Sequence, residues 1–295
     1  MSGMRIALIS DVHANYTALE AVDNDAAEQA VEAVWFLGDM TGYGPEPTQC
    51  IRWLGEVVHD MDPDGWVLGN HDAMLARLLS AADLADTNPM PLEAIDLNRL
   101  SLAVDEEADA FWRAHFTIDR ARPRGHTHGG VDYTLVHGER ASGRFLYRYI
   151  FPWDTRLLAD ELDLLRKQGA ATGRPQVQLF GHTHVPTLVQ TTAGMPQATP
   201  VEPDRVYELG ETALVNPGSV GQPRDLDNRA AYAILDTAAH TVIFRRVPYD
   251  IGRAIRLMAE QRYPPKLASR LEVADTTGSA PAEWIAHFKA IRAGA

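Results

Sequence analysis

Apolar positions fall along this chain in two rhythms. Short runs rich in branched residues predict buried β-strands, and apolar positions three or four apart predict helices. Residues 5–10 (RIALIS) are the first run, and the helix after them has Thr17 and Glu20 at capping-box spacing. Residues 34–37 (VWFL) are the second strand. Pro45 and Pro47 lead into a helix through Ile51, Trp53, Leu54, Val57 and Val58. Residues 66–68 predict a third strand, and residues 74–79 open a further helix. Strand alternating with helix predicts a parallel sheet with helical crossovers.

Residues 81–130 break this rhythm and read as a helical insertion or cap. Within it, 92–104 and 106–116 carry helical patterns, and Asp105 is placed to cap the second. Residues 120–130 (RARPRGHTHGG) read as a basic, Gly-rich connection. Strands are then expected at 131–136, 177–180, 213–215, 230–235 and 241–247, with a helix at 155–168. Residues 188–207 suggest a hairpin with a long loop. Helices at 251–261 and 281–292 end the chain, separated by Pro264 and Pro265. The pattern has no solenoid repeat and no low-complexity segment.

The polar residues that end these runs carry the chemistry. Asp11 follows IALIS, Asp39 follows VWFLG, Asn70 follows WVLG, His137 follows YTLV, and His182 follows VQLFG. In α/β sheets, sites form outside the carboxyl ends of strands, so these side chains are expected to converge. His13 and His184 each lie two residues beyond a strand-end residue, where alternation aims both members of a pair into one pocket. Two carboxylates, one amide and four imidazoles form a mixed oxygen and nitrogen donor set without thiolate. It suits Mn²⁺, Fe, Zn²⁺ or Ni²⁺ better than Ca²⁺. The set is too large for one ion with an open position and suits two divalent ions sharing a bridging carboxylate. Such ions, about 3.5–4 Å apart, bind both the attacking and the leaving oxygens of an in-line displacement.

Charge sharpens this picture. With 27 basic and 40 acidic residues, the 295-residue chain has a formal net charge of −13. An acidic surface opposes non-specific binding to nucleic acid or to an anionic membrane. Two divalent ions against two carboxylates nevertheless leave a positive pocket for a phosphate. No apolar run has spanning length, and the N-terminus reads as a strand rather than a signal peptide. Cys50 is the sole cysteine, which excludes an intramolecular disulfide and fits a cytoplasmic location.

Taken together, Asp11-x-His13, Gly38-Asp39, Gly69-Asn70-His71-Asp72, His137 and Gly181-His182-Thr183-His184 resemble the five blocks of the calcineurin-like metallophosphoesterases, in the family's order. GYGPEP (42–47) and NPGSVGQPRD (216–225) resemble a bacterial phosphodiesterase-like branch of that family. The resemblance implies an α/β fold: a four-layer αββα sandwich of two mixed β-sheets flanked by helices. The helical insertion (81–130) and C-terminal helices (250–295) would belong to the same domain. It assigns Asp11, His13, Asp39 and His184 to one metal and Asp39, Asn70, His137 and His182 to the other, with Mn²⁺ favoured. A metal-bridging hydroxide would attack phosphorus, and His71 would act as general acid, so activity should fall when His71 deprotonates. Asp72 would support the site without binding metal. Where the branch usually has Gly, this chain has Ala14. The implied activity is phosphoester hydrolysis, with a phosphodiester favoured over a monoester, a dinucleoside polyphosphate or a phosphoprotein. The substrate would be a small phosphoester, with nucleotides among the candidates. A non-catalytic binding scaffold is the rival, but such proteins tend to lose the histidine that His71 supplies here.

Several residues carry two readings. Asn15 is a candidate substrate contact. Arg224 is either a phosphate contact or a solvated arginine in a surface turn. Tyr43 either stacks on substrate or packs in its turn. Asn216, Pro217 and Gly218 read as a tight turn, and Cys50 as a core residue. Gly125-His126-Thr127-His128 repeats the letters of Gly181–His184 without a preceding strand and reads as an exposed loop. Trp284 and Phe288 read as a packed helix face, which is also where a homo-oligomer would form.

Overall fold

The computed structural model describes residues 3–80, 89–275 and 280–293. In chain order its strands are β1 (Arg5–Ile9), β2 (Ala33–Phe36), β3 (Arg124–His128), β4 (Val131–Leu135), β5 (Gln176–Leu179), β6 (Thr187–Thr192), β7 (Met195–Thr199), β8 (Val206–Glu208), β9 (Thr212–Asn216), β10 (Ala230–Asp236) and β11 (Thr241–Val247). The α-helices are α1 (Tyr16–Glu28), α2 (Pro47–Trp53), α3 (Asn70–Leu75), α4 (Pro89–Leu102), α5 (Glu106–His115), α6 (Thr155–Thr172), α7 (Ile251–Glu260), α8 (Pro265–Val273) and α9 (Ala282–Ala293).

One sheet has the order β2-β1-β10-β11-β8, and the other β3-β4-β5-β9-β6-β7. Both are mixed: β1 with β2, and β4-β5-β9, run parallel, while the other pairs are antiparallel. Strand alternation sorts the core into layers. In β1, Ile6 and Leu8 face the other sheet, where they join Tyr133, Leu135, Val177, Leu179 and Val215. Ala7 and Ile9 face outward onto Ala18, Leu19 and Val22 of α1. On the far side, Leu214 and Val189 pack against Leu157, Leu158, Leu162 and Leu165 of α6. The result is the expected αββα sandwich. Cys50 is buried in the outer layer. Among the described residues, no helix is long and apolar enough to cross a membrane.

Several local expectations change. α1 is capped by Asn15, whose Oδ1 accepts from Ala18 N at 3.2 Å, rather than by a Thr17–Glu20 box. Thr17 instead donates its backbone N–H and its hydroxyl to Glu46 from the following loop. Residues 66–68 supply only a single bridge, Trp66 to Phe36. Helix α2 continues into a π-helical stretch, Leu54–His59. Residues 188–207 form a tight β6–β7 hairpin, turned through Ala193 and Gly194 at positive φ, and β8 crosses into the other sheet. Pro265 does not merely separate helices. It opens α8, at a position where a missing N–H costs nothing. Of the expected insertion, residues 81–88 lie outside the described residues. Asp105 caps α5 as expected.

The largest correction concerns Gly125–His128. It is no loop but most of the edge strand β3, paired antiparallel with β4. Its half-buried face consists of Arg124, His126 and His128, with Trp35 against both histidine rings. A period of two written in polar residues is invisible to a hydrophobic pattern.

Candidate metal centre

Every candidate ligand except Asn70, which starts α3, leaves a strand end in a loop. Asp11, His13, Asp39, His137, His182 and His184 are all buried, and Asn70 is half-buried. They converge in two groups. Asp11, His13 and His184 form one: His13 Nε2 lies 3.0 Å from His184 Nε2, which lies 3.2 Å from Asp11 Oδ1. Asp39, His137 and His182 form the other, with Asn70 beside them. His137 Nε2 is 3.3 Å from Asp39 Oδ2 and 3.2 Å from Asn70 Oδ1. Asp39 Oδ2 also lies 3.7 Å from His13 Nε2, so this carboxylate sits between the groups.

The outer nitrogens of three imidazoles explain the inner ones. His13 Nδ1 donates to the Thr41 carbonyl at 3.1 Å, His137 Nδ1 to that of Leu37 at 2.8 Å, and His184 Nδ1 to that of Gln222 at 2.6 Å. A carbonyl only accepts, so each Nδ1 carries a proton, and in the neutral ring it is Nε2 that turns a lone pair inward. Two imidazole lone pairs 3.0 Å apart beside a carboxylate repel unless a cation lies among them. Among the described residues, His182 Nε2 is buried with no hydrogen-bond partner. The site therefore fits divalent metal ions.

Close backbone approach makes the convergence possible. A Cβ on Gly69 would lie 2.0 Å from Asp39 Oδ1, and one on Gly181 would lie 2.0 Å from Ser10 Oγ. Asp11, His13, Asp39, His182 and His184 all adopt positive φ, between 50° and 68°. For a non-glycine residue this costs on the order of 1–2 kcal/mol each. Such strain persists where the surroundings over-determine it. Asp72 supplies part of that constraint. Its carboxylate accepts N–H groups of Asp39, Met40, Thr41 and Gly69, which fixes the turn that carries Asp39.

Ala14 also takes positive φ, at 55°. Glycine would relieve the steric cost but adds chain entropy to the unfolded state. Ala14→Gly is therefore expected to stabilise the protein by about 0.5 kcal/mol in urea unfolding. A clear destabilisation would show that the alanine methyl is needed for packing.

In the metal-free protein, burial pushes the Asp11 and Asp39 carboxyls up. The neighbouring imidazoles outweigh it, chiefly His184 at Asp11 and His137 at Asp39, and hold both well below the carboxylate range. Burial lowers His137, but Asp39 more than compensates and raises it to about 9. Burial brings His182 down to about 3 and His71 to about 4. His71 packs its ring against those of His13 and Tyr43, at centroid distances of 4.7 and 4.5 Å. Its backbone N–H donates to Asp39 Oδ1, and its Nδ1 is buried without a partner. His13, Asp39 and His71 also lie close enough to share an ion.

The remaining candidates divide. Asn15 lies near His13, but its amide is already engaged with Ala18 N, the Gly221 carbonyl and the Tyr249 hydroxyl. Arg224 is not a solvated turn residue. It is 5% exposed, with its Nε buried and unpartnered, and NH2 reaches Gln222 Oε1 at 3.2 Å. Tyr43 packs on the site histidines. His126 and His128 lie on β3 and join neither metal group. Sequence reasoning missed Tyr149, whose ring stacks on that of His182 at 3.9 Å and 11°. Phe151 and Trp153 extend the stack. The available signal was the run of aromatics at alternate positions 147, 149, 151 and 153.

Two mixed sheets between helical layers, with buried carboxylates and imidazoles gathered at the strand ends, define a metallophosphoesterase-type architecture. The chain belongs to the calcineurin-like phosphoesterase superfamily, whose domain signature spans residues 4–240. It is 32% identical to a metallophosphoesterase from Sphaerobacter thermophilus, with a TM-score of 0.70 over 92% of this chain and 100% of that one. A hypothetical protein from Pyrococcus horikoshii shares the fold at 16% identity, with a TM-score of 0.67 over 92% of this chain and 99% of that one. An uncharacterized protein of Methanocaldococcus jannaschii is 28% identical over 90% of this chain and 96% of its own length.

Proposed function

We propose that the protein is a dinuclear-metal phosphodiesterase in which His71 is the general acid. The observation that carries this reading is the pair of facing donor groups, with Asp39 between them and the Arg224 guanidinium, its Nε unpartnered among the described residues, nearby. Asp11, His13, Asp39 and His184 would hold one ion, and Asp39, Asn70, His137 and His182 the other. When bound, the ions would supply a nucleophile at neutral pH and neutralise charge on the phosphoryl oxygens. The mixed donor set suits Mn²⁺, Fe, Zn²⁺ or Ni²⁺, and the family resemblance favours Mn²⁺. The backbone carbonyls on His13, His137 and His184 hold those rings in the ligating tautomer. Arg224 offers a planar fork to a phosphoryl oxygen. Burial holds the His71 ring neutral near pH 7 in the free protein, so it is the charge of the bound phosphoester that would let it carry the proton it gives to the leaving oxygen, beside the buried rings of His13 and Tyr43. The diester preference rests on the likeness of residues 42–47 and 216–225 to the phosphodiesterase-like branch.

Chelator-stripped protein is expected to lose turnover, and Mn²⁺ to restore it along with a higher melting temperature. With matched substrates sharing one leaving group, kcat/KM should be larger for the diester. Equal rates with and without metal would defeat the dinuclear reading. A monoester preference would defeat the diester assignment alone.

A further inference from the structure

The domain signature ends at residue 240, yet the helices beyond it reach the site. Tyr43, whose ring packs on His13 and His71, shares an apolar cluster with Met258 of α7 and with Leu267 and Leu271 of α8. Residues three and four apart share a helix face, so Arg270 stands beside Leu267 on the flank turned toward Tyr43. Its guanidinium carbon lies 5.9 Å from the Tyr43 ring centroid, as does that of Arg224. Among the described residues, neither arginine has a carboxylate partner. Yet acids outnumber bases by 40 to 27 in this chain, and the arginines at positions 229, 245 and 246 are all ion-paired. Arg224 is buried, with an unpartnered Nε, and its backbone N–H donates to the His184 carbonyl at 3.3 Å. Arg270 is only half-buried and so more open to solvent than Arg224. Two guanidiniums without a carboxylate partner, both 5.9 Å from the Tyr43 ring that packs on the metal-centre histidines, are a site for anionic groups.

We propose that Arg270, with Arg224, forms an anion subsite beyond the metal centre. The substrate then carries a second anionic group next to the phosphoryl group held by the ions, as in the class of polyphosphate esters. This rests on the phosphoester reading above and adds the substrate class. Arginine in the last turn of α8 also suits the helix dipole, but that role is indifferent to the ligand.

The test compares AMP and ADP as probes, by calorimetric titration of the Mn²⁺-loaded full chain. Wild type should bind ADP more tightly than AMP. R270Q should lower the ADP-to-AMP affinity ratio on the order of tenfold, the worth of one charge-assisted contact, and R270K should recover part of it. A ratio that stays the same in R270Q overturns the proposal, whether both affinities fall together or only the melting temperature drops. So does a wild type that does not prefer ADP. Turnover of bis(4-nitrophenyl) phosphate by the same wild-type sample is read separately. Its absence would count against the phosphoester reading while the affinity ratio still judges the subsite.

Discussion

Asp39→Asn is expected to remove most bound metal and essentially all turnover, although asparagine keeps the shape of the side chain. Asp39 does three things at once. Its Oδ2 faces His137 at 3.3 Å and His13 at 3.7 Å, and its Oδ1 accepts the backbone N–H of His71. Asparagine can keep the last contact through its amide oxygen, so the start of α3 should stay in place. It cannot supply the negative charge that balances two divalent ions. Outer partners of metal ligands typically cost about 10–100-fold in affinity or activity when removed, so a shared ligand should cost more. Asp72 supplies the internal comparison. It holds the Asp39 turn through four backbone N–H groups and faces no ion. Asp72→Asn should therefore fall within that outer range. Metal analysis after gel filtration, paired with turnover of a diester, reads both effects. An Asp39→Asn protein with two ions per chain and wild-type rates would remove Asp39 from the centre.

Much of this arrangement was legible in the sequence, for a physical reason. A buried strand announces itself by continuous apolar residues. A ligand at its end announces itself as the first acid, amide or imidazole after the run. That logic found Asp11, Asp39, His137 and His182, and the two-residue spacing found His13 and His184. Trp66–Leu68 shows its limit: the run is apolar and buried, yet only Trp66 makes a bridge, to Phe36. Depth of burial can be read from side chains, but ladder pairing depends on partners far away in sequence. The polar strand β3 failed in the opposite way, since its buried face is made of histidine and arginine packed on Trp35. Local pattern marked Arg224 and the alternate aromatics around Tyr149 but could not decide where either would sit. Their positions depend on loops that meet only after both sheets have stacked. The positive φ angles at five candidate ligands were likewise hidden, because Asp and His tolerate that region better than most residues and give no glycine signal.

His71→Ala is expected to keep both ions and lose turnover in proportion to how poor the leaving group is. The geometry allows two roles for this imidazole. It sits close enough to His13 and Asp39 to share an ion, and it also has a buried Nδ1 with no partner, free for proton traffic. The backbone N–H that anchors Asp39 belongs to residue 71 whatever its side chain, so the substitution leaves that support standing. Removing a positioned acid costs about 10²–10⁴-fold when the leaving oxygen needs a proton in the transition state. An alkyl diester needs that proton; a 4-nitrophenyl diester leaves as a stabilised phenolate and needs it far less. The acid role therefore predicts a steep loss on the first substrate, a shallow loss on the second, and unchanged metal content. A ligand role predicts equal losses on both, together with metal lost from the purified variant. Full activity on the alkyl diester would refute either role and leave His71 as packing for the ring of Tyr43.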